Sequence, residues 1–137
     1  MAAFVKFYAF VADIGLEKHQ LNTDTLKVYL TNAAPATSNT VYNTPADLAT
    51  ANGYTAGGED VANTWSQTGG VATLAIGADI VWTAAGGTIG PFRYAVLYND
   101  TDASKPLIGY WDYGSAITLQ IGETFTFDMT ASLATLT

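Results

Sequence analysis

Apolar and polar residues alternate with a period of two along most of this chain, which is the pattern of a half-buried β-strand. Gly, Pro, Asn and Asp separate the alternating segments and supply turn residues, at intervals of roughly ten residues in the second half of the chain. We therefore predict strands at Phe4–Val11, Thr25–Thr31, Val71–Ile76, Asp79–Thr83, Phe92–Tyr98, Leu107–Tyr113, Ile117–Ile121 and Thr124–Met129.

One segment, NTPADLATANGY, has helical signals and predicts one or two turns. Thr44 suits the cap, Pro45 suits the first helical position, and Gly53 suits the left-handed residue after the last turn. About eight short strands with at most one short helix predict an all-β fold, a two-sheet β-sandwich of jelly-roll type. The length fits a single domain, 1–137, in which residues 130–137 are predicted to form an uncharged C-terminal tail.

The chain carries few charges for its size. Charged residues make up 12% of the sequence, about half of the ~25% that is usual in globular proteins. Because monomers usually need more surface charge for solubility, this composition indicates a protein that packs against other subunits. The net charge of −7 and the dispersed basic residues argue against binding to nucleic acid or to anionic membranes. The absence of cysteine excludes disulfides and thiolate metal sites.

The stretch TDTLKVYLTNAAP shows the unusual outer face of the strands. Leu26, Val28 and Leu30 share one face of the predicted strand and are expected in the core. Lys27, Tyr29 and Thr31 lie on the other face, where a tyrosine and a threonine occupy positions at which Lys and Glu are common on a soluble protein. This face is therefore predicted to be a docking face.

The sequence contains no recognised arrangement of catalytic side chains, and we predict no enzymatic activity, cofactor or metal. His19, the only histidine, lies in GLEKHQL and is expected to be a solvated loop residue. NDTDAS, at Asn99–Ser104, could ligate calcium, but it lacks the glycine and glutamate of a calcium loop, so a turn is favoured. GGED, at Gly57–Asp60, is also predicted to be a turn. AAGGTIGPF lacks the Lys-Ser/Thr of a phosphate loop and is predicted to link two strands.

The motif GYWDYG places Tyr110, Trp111 and Tyr113 close together, so both faces of that strand carry large rings. One face is expected in the core, and the other then forms either a partner site or a platform for stacking carbohydrate. A strand that is buried on both faces is the alternative explanation. Asp112 is predicted either to hydrogen-bond a sugar or to cap a turn.

TDTLKVYLTNAAP, ANGYTAGG, FRYAVLYND and LIGYWDYGSAITLQIGETFTF occur here in an order that resembles the capsid decoration, or cement, proteins of tailed bacteriophages. The similarity extends from about Phe4 to Asp128. It implies a jelly-roll-like β-sandwich that binds the outer surface of the phage head, bridges subunits of the major capsid protein and resists the pressure of packaged DNA. It also implies a virion protein that assembles in the host bacterial cytoplasm and has no catalytic residues.

Composition and resemblance together predict a homo-oligomer, with a dimer favoured and a trimer next. The free edge of the strand predicted at Phe4–Val11 is expected to pair with a partner sheet. Aromatic residues supply rigid contact area at low entropic cost. The predicted interface residues are Tyr29, Tyr110, Trp111, Tyr113, Phe4 and Phe7.

Two other functions stay open at this point. A receptor-binding or carbohydrate-binding module, such as a fibre or tail domain, requires the aromatic face of residues 109–114 to be exposed, with Asp112 or Asn99 beside it. A small cupin-like enzyme requires a metal held by Asp100, Asp102 and Asp112, which is a poor ligand set for a transition metal.

Overall fold

A computed structural model describes residues 3–128 and 131–136 of the chain. Within these residues the protein is all-β, as predicted, with ten strands, one α-helix and one short 3₁₀ helix. The strands are β1 (Phe4–Lys6), β2 (Leu26–Thr31), β3 (Glu59–Val61), β4 (Asn63–Thr68), β5 (Val71–Ile76), β6 (Ile80–Thr83), β7 (Ile89–Asn99), β8 (Leu107–Leu119), β9 (Thr124–Phe127) and β10 (Ala131–Leu136). Helix α1 covers Tyr8–Gly15, and the 3₁₀ helix covers Thr44–Ala46.

The strands form three antiparallel sheets. The largest has the order β1-β8-β7-β2-β3, the second has the order β10-β5-β4, and the third pairs β6 with β9. The long strands β7 and β8 lie at the centre of the five-stranded sheet and are joined by the turn at residues 100–106. The all-β sandwich class is confirmed, with more strands and one more sheet than expected, and the jelly-roll connectivity stays a prediction.

The main core lies on the side of the five-stranded sheet where Leu26, Val28 and Leu30 point. All three side chains are fully buried, as the alternation of β2 predicts. Trp82 of the two-stranded sheet and Leu74 of the three-stranded sheet belong to the same buried cluster. Each aliphatic side chain of this size contributes about 1.5–3 kcal/mol when it is removed from water.

The prediction of one strand over Phe4–Val11 is wrong, because β1 ends at Lys6 and α1 begins at Tyr8. The reason lies in a second periodicity. Phe7, Phe10 and Ile14 follow the i, i+3, i+7 spacing of a helix, and Phe7 and Phe10 are almost fully buried. The tertiary contacts of these rings favour a helix over continued strand pairing.

Four further differences concern element bounds. Strands β3 and β4 were not predicted, because their polar side chains do not show a clear apolar alternation. The strands predicted at 107–113 and 117–121 form the single strand β8. Within the predicted tail, Ala131–Leu136 form β10, which pairs with β5, and residues 130 and 137 lie outside the described residues. The helix predicted around Pro45 is reduced to one 3₁₀ turn, and Asn43 rather than Thr44 is its cap. Met129, predicted in the last strand before the tail, lies outside the described residues.

The start of β3 approaches β2 very closely at Gly58. Gly58 has φ +80°, and a Cβ atom at this position would lie 1.8 Å from the carbonyl oxygen of Val28. Only glycine fits this backbone conformation and this contact. The predicted turn at Gly57–Asp60 is therefore found only in part: Gly57 lies in a turn, whereas Glu59 and Asp60 belong to strand β3.

Candidate interaction surface

The predicted docking face of β2 is covered by the chain itself. Residues 32–58, which we call the cover segment, connect β2 with β3. Tyr29 is 4% exposed and Thr31 is 1% exposed. The ring of Tyr42 in the cover segment lies 5.0 Å from the ring of Tyr29 and stacks on Tyr98 at 4.7 Å. The prediction that this face of β2 is open to partners is therefore wrong.

Asp47 fixes the cover segment in place. Its carboxylate accepts hydrogen bonds from the hydroxyl of Tyr42 at 2.7 Å, the hydroxyl of Tyr54 at 2.5 Å and the backbone N–H of Gly57 at 2.5 Å. The Tyr54 hydroxyl also accepts the backbone N–H of Leu30 at 3.0 Å, which ties the cluster to β2. Burial and the hydrogen bond to Asp47 raise the pKa of Tyr54 far above its usual value. We call Asp47 and its three hydrogen-bond donors, Tyr42, Tyr54 and Gly57, the clamp. Its two tyrosines remain protonated.

An open cavity of about 360 Å³ lies beside the cover segment. Phe7, Tyr29 and Tyr42 supply its aromatic wall, and residues 33–43 supply much of its polar wall. Burial raises the pKa of Tyr29 to about 12, whereas a hydrogen bond with the backbone of Asn43 in the cover segment opposes this shift. Uncharged hydroxyl-rich molecules are the chemical class that such a wall can contact.

The three aromatic residues of β8 divide between the two faces of the sheet. Trp111 is 5% exposed and packs against Phe4 at 5.0 Å and Phe127 at 4.8 Å. Tyr113 is half-buried on the same core side, whereas Tyr110 is half-buried on the opposite side. The expected exposed aromatic platform is absent from this strand, because each ring is covered largely by other rings of the chain.

The six predicted interface residues therefore have different surroundings. Tyr29, Trp111 and Phe7 are buried within the chain, and Phe7 is 0% exposed, so they offer no contact area in this conformation. Phe4 and Tyr110 remain half-buried, with Tyr110 packed against Phe7 at a ring distance of 5.3 Å. The structure brings these residues into two clusters on opposite faces of one sheet instead of one docking face.

The polar groups proposed to contact a sugar are already occupied. Asp112 accepts two hydrogen bonds from the guanidinium of Arg93, at 2.7 and 3.0 Å, and a third from the N–H of Gly114. The hydrogen bond from Arg93 lowers the pKa of Asp112. Asn99 is fully buried, and its side-chain oxygen accepts the N–H of Thr101, which confirms the predicted turn.

His19 is buried, and the prediction of a solvated loop residue is wrong. It is 7% exposed, its ring packs edge-on against Phe10 at 5.3 Å, and its Nδ1 lies 3.2 Å from the amide nitrogen of Asn99. Burial lowers the pKa of His19, although the nearby carboxylates of Asp13 and Asp24 oppose this shift. Within the described residues, no group of three or more His, Asp or Glu side chains is arranged to hold a metal.

Helix α1 exposes an apolar surface that the sequence analysis missed. Tyr8 is 70% exposed, Val11 is 55% exposed and Leu16, just beyond the helix, is 65% exposed. A groove beside α1 is lined by Val11, Trp65 and residues 134–136. The helical spacing gave no signal for this exposure, because Val11 follows Phe7 by four residues and therefore lies near Phe7 on the helix surface, not opposite it. We call this region the α1 surface.

The sheet formed by β10, β5 and β4 contains no charged residue, and we call it the charge-free sheet. Strand β4 is one of its edges. It ends with three consecutive exposed residues, Ser66, Gln67 and Thr68, which follow the half-buried Trp65. Natural edge strands usually carry Lys, Pro or a bulge that prevents pairing with other chains. Strand β4 pairs with β5 without interruption and carries none of these devices.

Comparisons of the chain with protein-family models, with curated proteins and with solved structures find no match. No helix among the described residues is long and apolar enough to cross a membrane. The assignment of a function therefore rests on the surfaces described above and on the resemblance seen in the sequence.

Proposed function

We propose that this protein is a non-enzymatic structural protein of a virion, a decoration or cement protein that binds the outer surface of a phage head. It bridges subunits of the major capsid protein and stabilises the head against the pressure of packaged DNA. Its site of action is the virion, after assembly in the host bacterial cytoplasm. No cofactor, nucleic acid or membrane is part of this proposal.

The observation that supports the proposal best is the α1 surface. Tyr8, Val11 and Leu16 expose large apolar side chains close to one another in sequence, in a chain with few surface charges. Such a cluster is typical of a site that contacts another protein. Apolar side chains such as those of Val11 and Leu16 lose less rotamer freedom on binding than long charged side chains do, which favours a stable contact with a protein shell.

The proposal is tested by co-sedimentation of the purified protein with empty, expanded heads that lack it, prepared from the virus that encodes it. Saturable binding at a stoichiometry that matches a set of local symmetry axes is expected. Val11→Glu places a charge on the α1 surface and is expected to weaken binding at least tenfold, or about 1.4 kcal/mol. Val81→Glu is the matched control, since both valines are 55% exposed and Val81 lies in β6. Absence of binding by the unmodified protein would refute the proposal.

A receptor- or carbohydrate-binding module of a fibre or tail is the second candidate. The cavity beside Tyr42 favours it, because aromatic rings and uncharged polar groups line one open site. The candidate carbohydrate site is therefore this cavity and not strand β8, because the aromatic rings of β8 are covered by other parts of the chain. A glycan array is the test, and binding that is lost in Tyr42→Ala would support this candidate, whereas an array without any binder would exclude it.

A further inference from the structure

The hairpin that joins β4 to β5 shows which N–H and C=O groups of β4 point away from β5, towards the outer edge of the sheet. Gly69 and Gly70 form a two-residue turn with φ +60° and +84°, so the flanking residues 68 and 71 form a hydrogen-bonded pair. Hydrogen-bonded pairs alternate along an antiparallel ladder, and the N–H of Gly77 indeed donates to the carbonyl of Ala62 at 2.9 Å. The N–H and C=O groups of Trp65 and Gln67 consequently point away from β5, towards the open edge.

Charge restricts what can pair with this edge. Each copy of the chain has a net charge of −7, so two copies repel each other wherever their charged surfaces meet. The five-stranded sheet carries charged residues at both edges, Lys6 in β1 and the exposed Glu59 and Asp60 in β3, and both edge strands are only three residues long. The β4 edge of the charge-free sheet carries no charged residue, so two copies can approach each other there without this repulsion.

The other edge of the charge-free sheet is less suitable. The pairing of β10 with β5 has a register shift between Ser132 and Ala134, and irregular edges hinder the addition of another strand. Strand β4 keeps a regular register over all six residues, Asn63–Thr68. Of the two edges, β4 therefore has the more regular backbone for the addition of a strand.

We propose that β4 is a homodimer interface, at which it pairs antiparallel with β4 of a second copy about a two-fold axis next to Ser66. In this register Trp65 exchanges hydrogen bonds with Gln67 of the second copy, and the reverse pair is identical, as two-fold symmetry requires. The arrangement joins two charge-free sheets into one continuous sheet. Ser66 then lies opposite its own symmetry mate, where side chains are closest and a small residue fits.

This inference goes beyond the proposed function. It assigns the homo-oligomer that was predicted from the sequence to β4 instead of the N-terminal strand. The test contains only the purified protein, so its result is independent of capsid binding. Sedimentation across a concentration series is expected to show a reversible dimer. Trp65 is the half-exposed tryptophan, whereas Trp82 and Trp111 are buried. Quenching of fluorescence by acrylamide should therefore increase as the dimer dissociates.

Charge substitutions at Ser66 test the two-fold geometry. Ser66→Lys and Ser66→Glu each place like charges opposite each other and are expected to weaken the dimer at least tenfold. Mixing the two variants places opposite charges together and should restore association. Thr126→Lys and Thr126→Glu, at an exposed position in β9, are matched controls and should dimerise like the unmodified protein.

Three results would overturn the proposal. The first is an unmodified protein that remains monomeric up to about 1 mM. The second is a dimer that the Ser66 substitutions leave intact or that the Thr126 substitutions weaken equally. The third is a mixture of Ser66→Lys and Ser66→Glu that fails to associate although each variant alone is disrupted, because that result excludes a contact of Ser66 with itself.

Discussion

Tyr54 donates its hydroxyl hydrogen to Asp47 at 2.5 Å while it accepts the backbone N–H of Leu30 at 3.0 Å. Through these two hydrogen bonds, the side chain of Tyr54 joins the cover segment to β2. Asp47 also holds Tyr42, whose ring covers Tyr29. The relationship explains why a face that alternation predicts to be exposed is buried, and it identifies Asp47 as a residue on which the cover segment depends.

Replacement of Asp47 by alanine should destabilise the protein by about 2–4 kcal/mol, since the hydroxyls of Tyr42 and Tyr54 and the N–H of Gly57 lose their acceptor. Urea unfolding measures the change. Asp60→Ala is the control, because Asp60 is an exposed acid in a 3.6 Å pair with Lys27 and should change stability by no more than about 0.5 kcal/mol. Equal effects of the two substitutions would contradict the clamp role of Asp47.

Acidification should destabilise the protein through His19. Burial lowers the pKa of His19 in the folded state below its usual value of 6.5. The unfolded state therefore binds a proton more readily, so the contribution of His19 to stability is present above about pH 6.5 and is lost as the pH falls below that value. Urea midpoints between pH 8 and pH 5 should decrease for the unmodified protein, whereas His19→Gln should show a flatter profile. A profile unchanged by that substitution would assign the pH dependence to other groups.

Gly58→Ala should be strongly destabilising, by about 3 kcal/mol or more, because the added methyl group meets the carbonyl oxygen of Val28 in an unfavourable backbone conformation. Gly69→Ala is the matched control. Gly69 also has a positive φ, but a Cβ there has no described atom within 4 Å, so the cost is limited to about 1 kcal/mol of backbone strain. Thermal unfolding of both variants separates the steric effect from the conformational one, and similar values would argue against the close contact.

Trp111→Ala should cost about 3–5 kcal/mol of stability, because the ring fills space between Phe4 and Phe127 in the core. Tyr8→Ala is the control, since Tyr8 is 70% exposed and its removal should change stability little. Chemical denaturation measures both changes. A small effect of Trp111→Ala on stability, with a large effect on capsid binding, would instead restore Trp111 to the interface predicted from the sequence.

Much of the β structure could be predicted because it depends on local periodicity. Val71–Ile76 is found as predicted, and the predicted strand ending at Thr31 differs from β2 only at its first residue. Apolar side chains that alternate on a strand need one buried face, whatever the rest of the fold is. The turn at Asn99 could also be predicted, since an Asn side chain caps its own turn through near neighbours in sequence.

The first strand was overextended for a different reason. Phe10 fits both a strand pattern, in which it shares a face with Phe4, and a helical pattern that includes Phe7 and Ile14. Short apolar runs of this kind are ambiguous, because both periodicities place rings on a buried side. In the structure Phe10 lies in α1, and its ring contacts the ring of His19, which lies outside both β1 and α1. This contact cannot be predicted from the periodicity of Phe4–Val11.

The sequence by itself determined the β class, the inner face of β2 and the low surface charge, since alternation and composition act locally or on the whole chain. The tertiary structure alone decided that Tyr29 and Trp111 are buried, that His19 is enclosed, and that Val11 and the edge of β4 remain exposed. Whether a side chain meets water depends on what packs above its strand. That depends on long-range contacts, such as those made by Asp47, which no periodicity along the chain encodes.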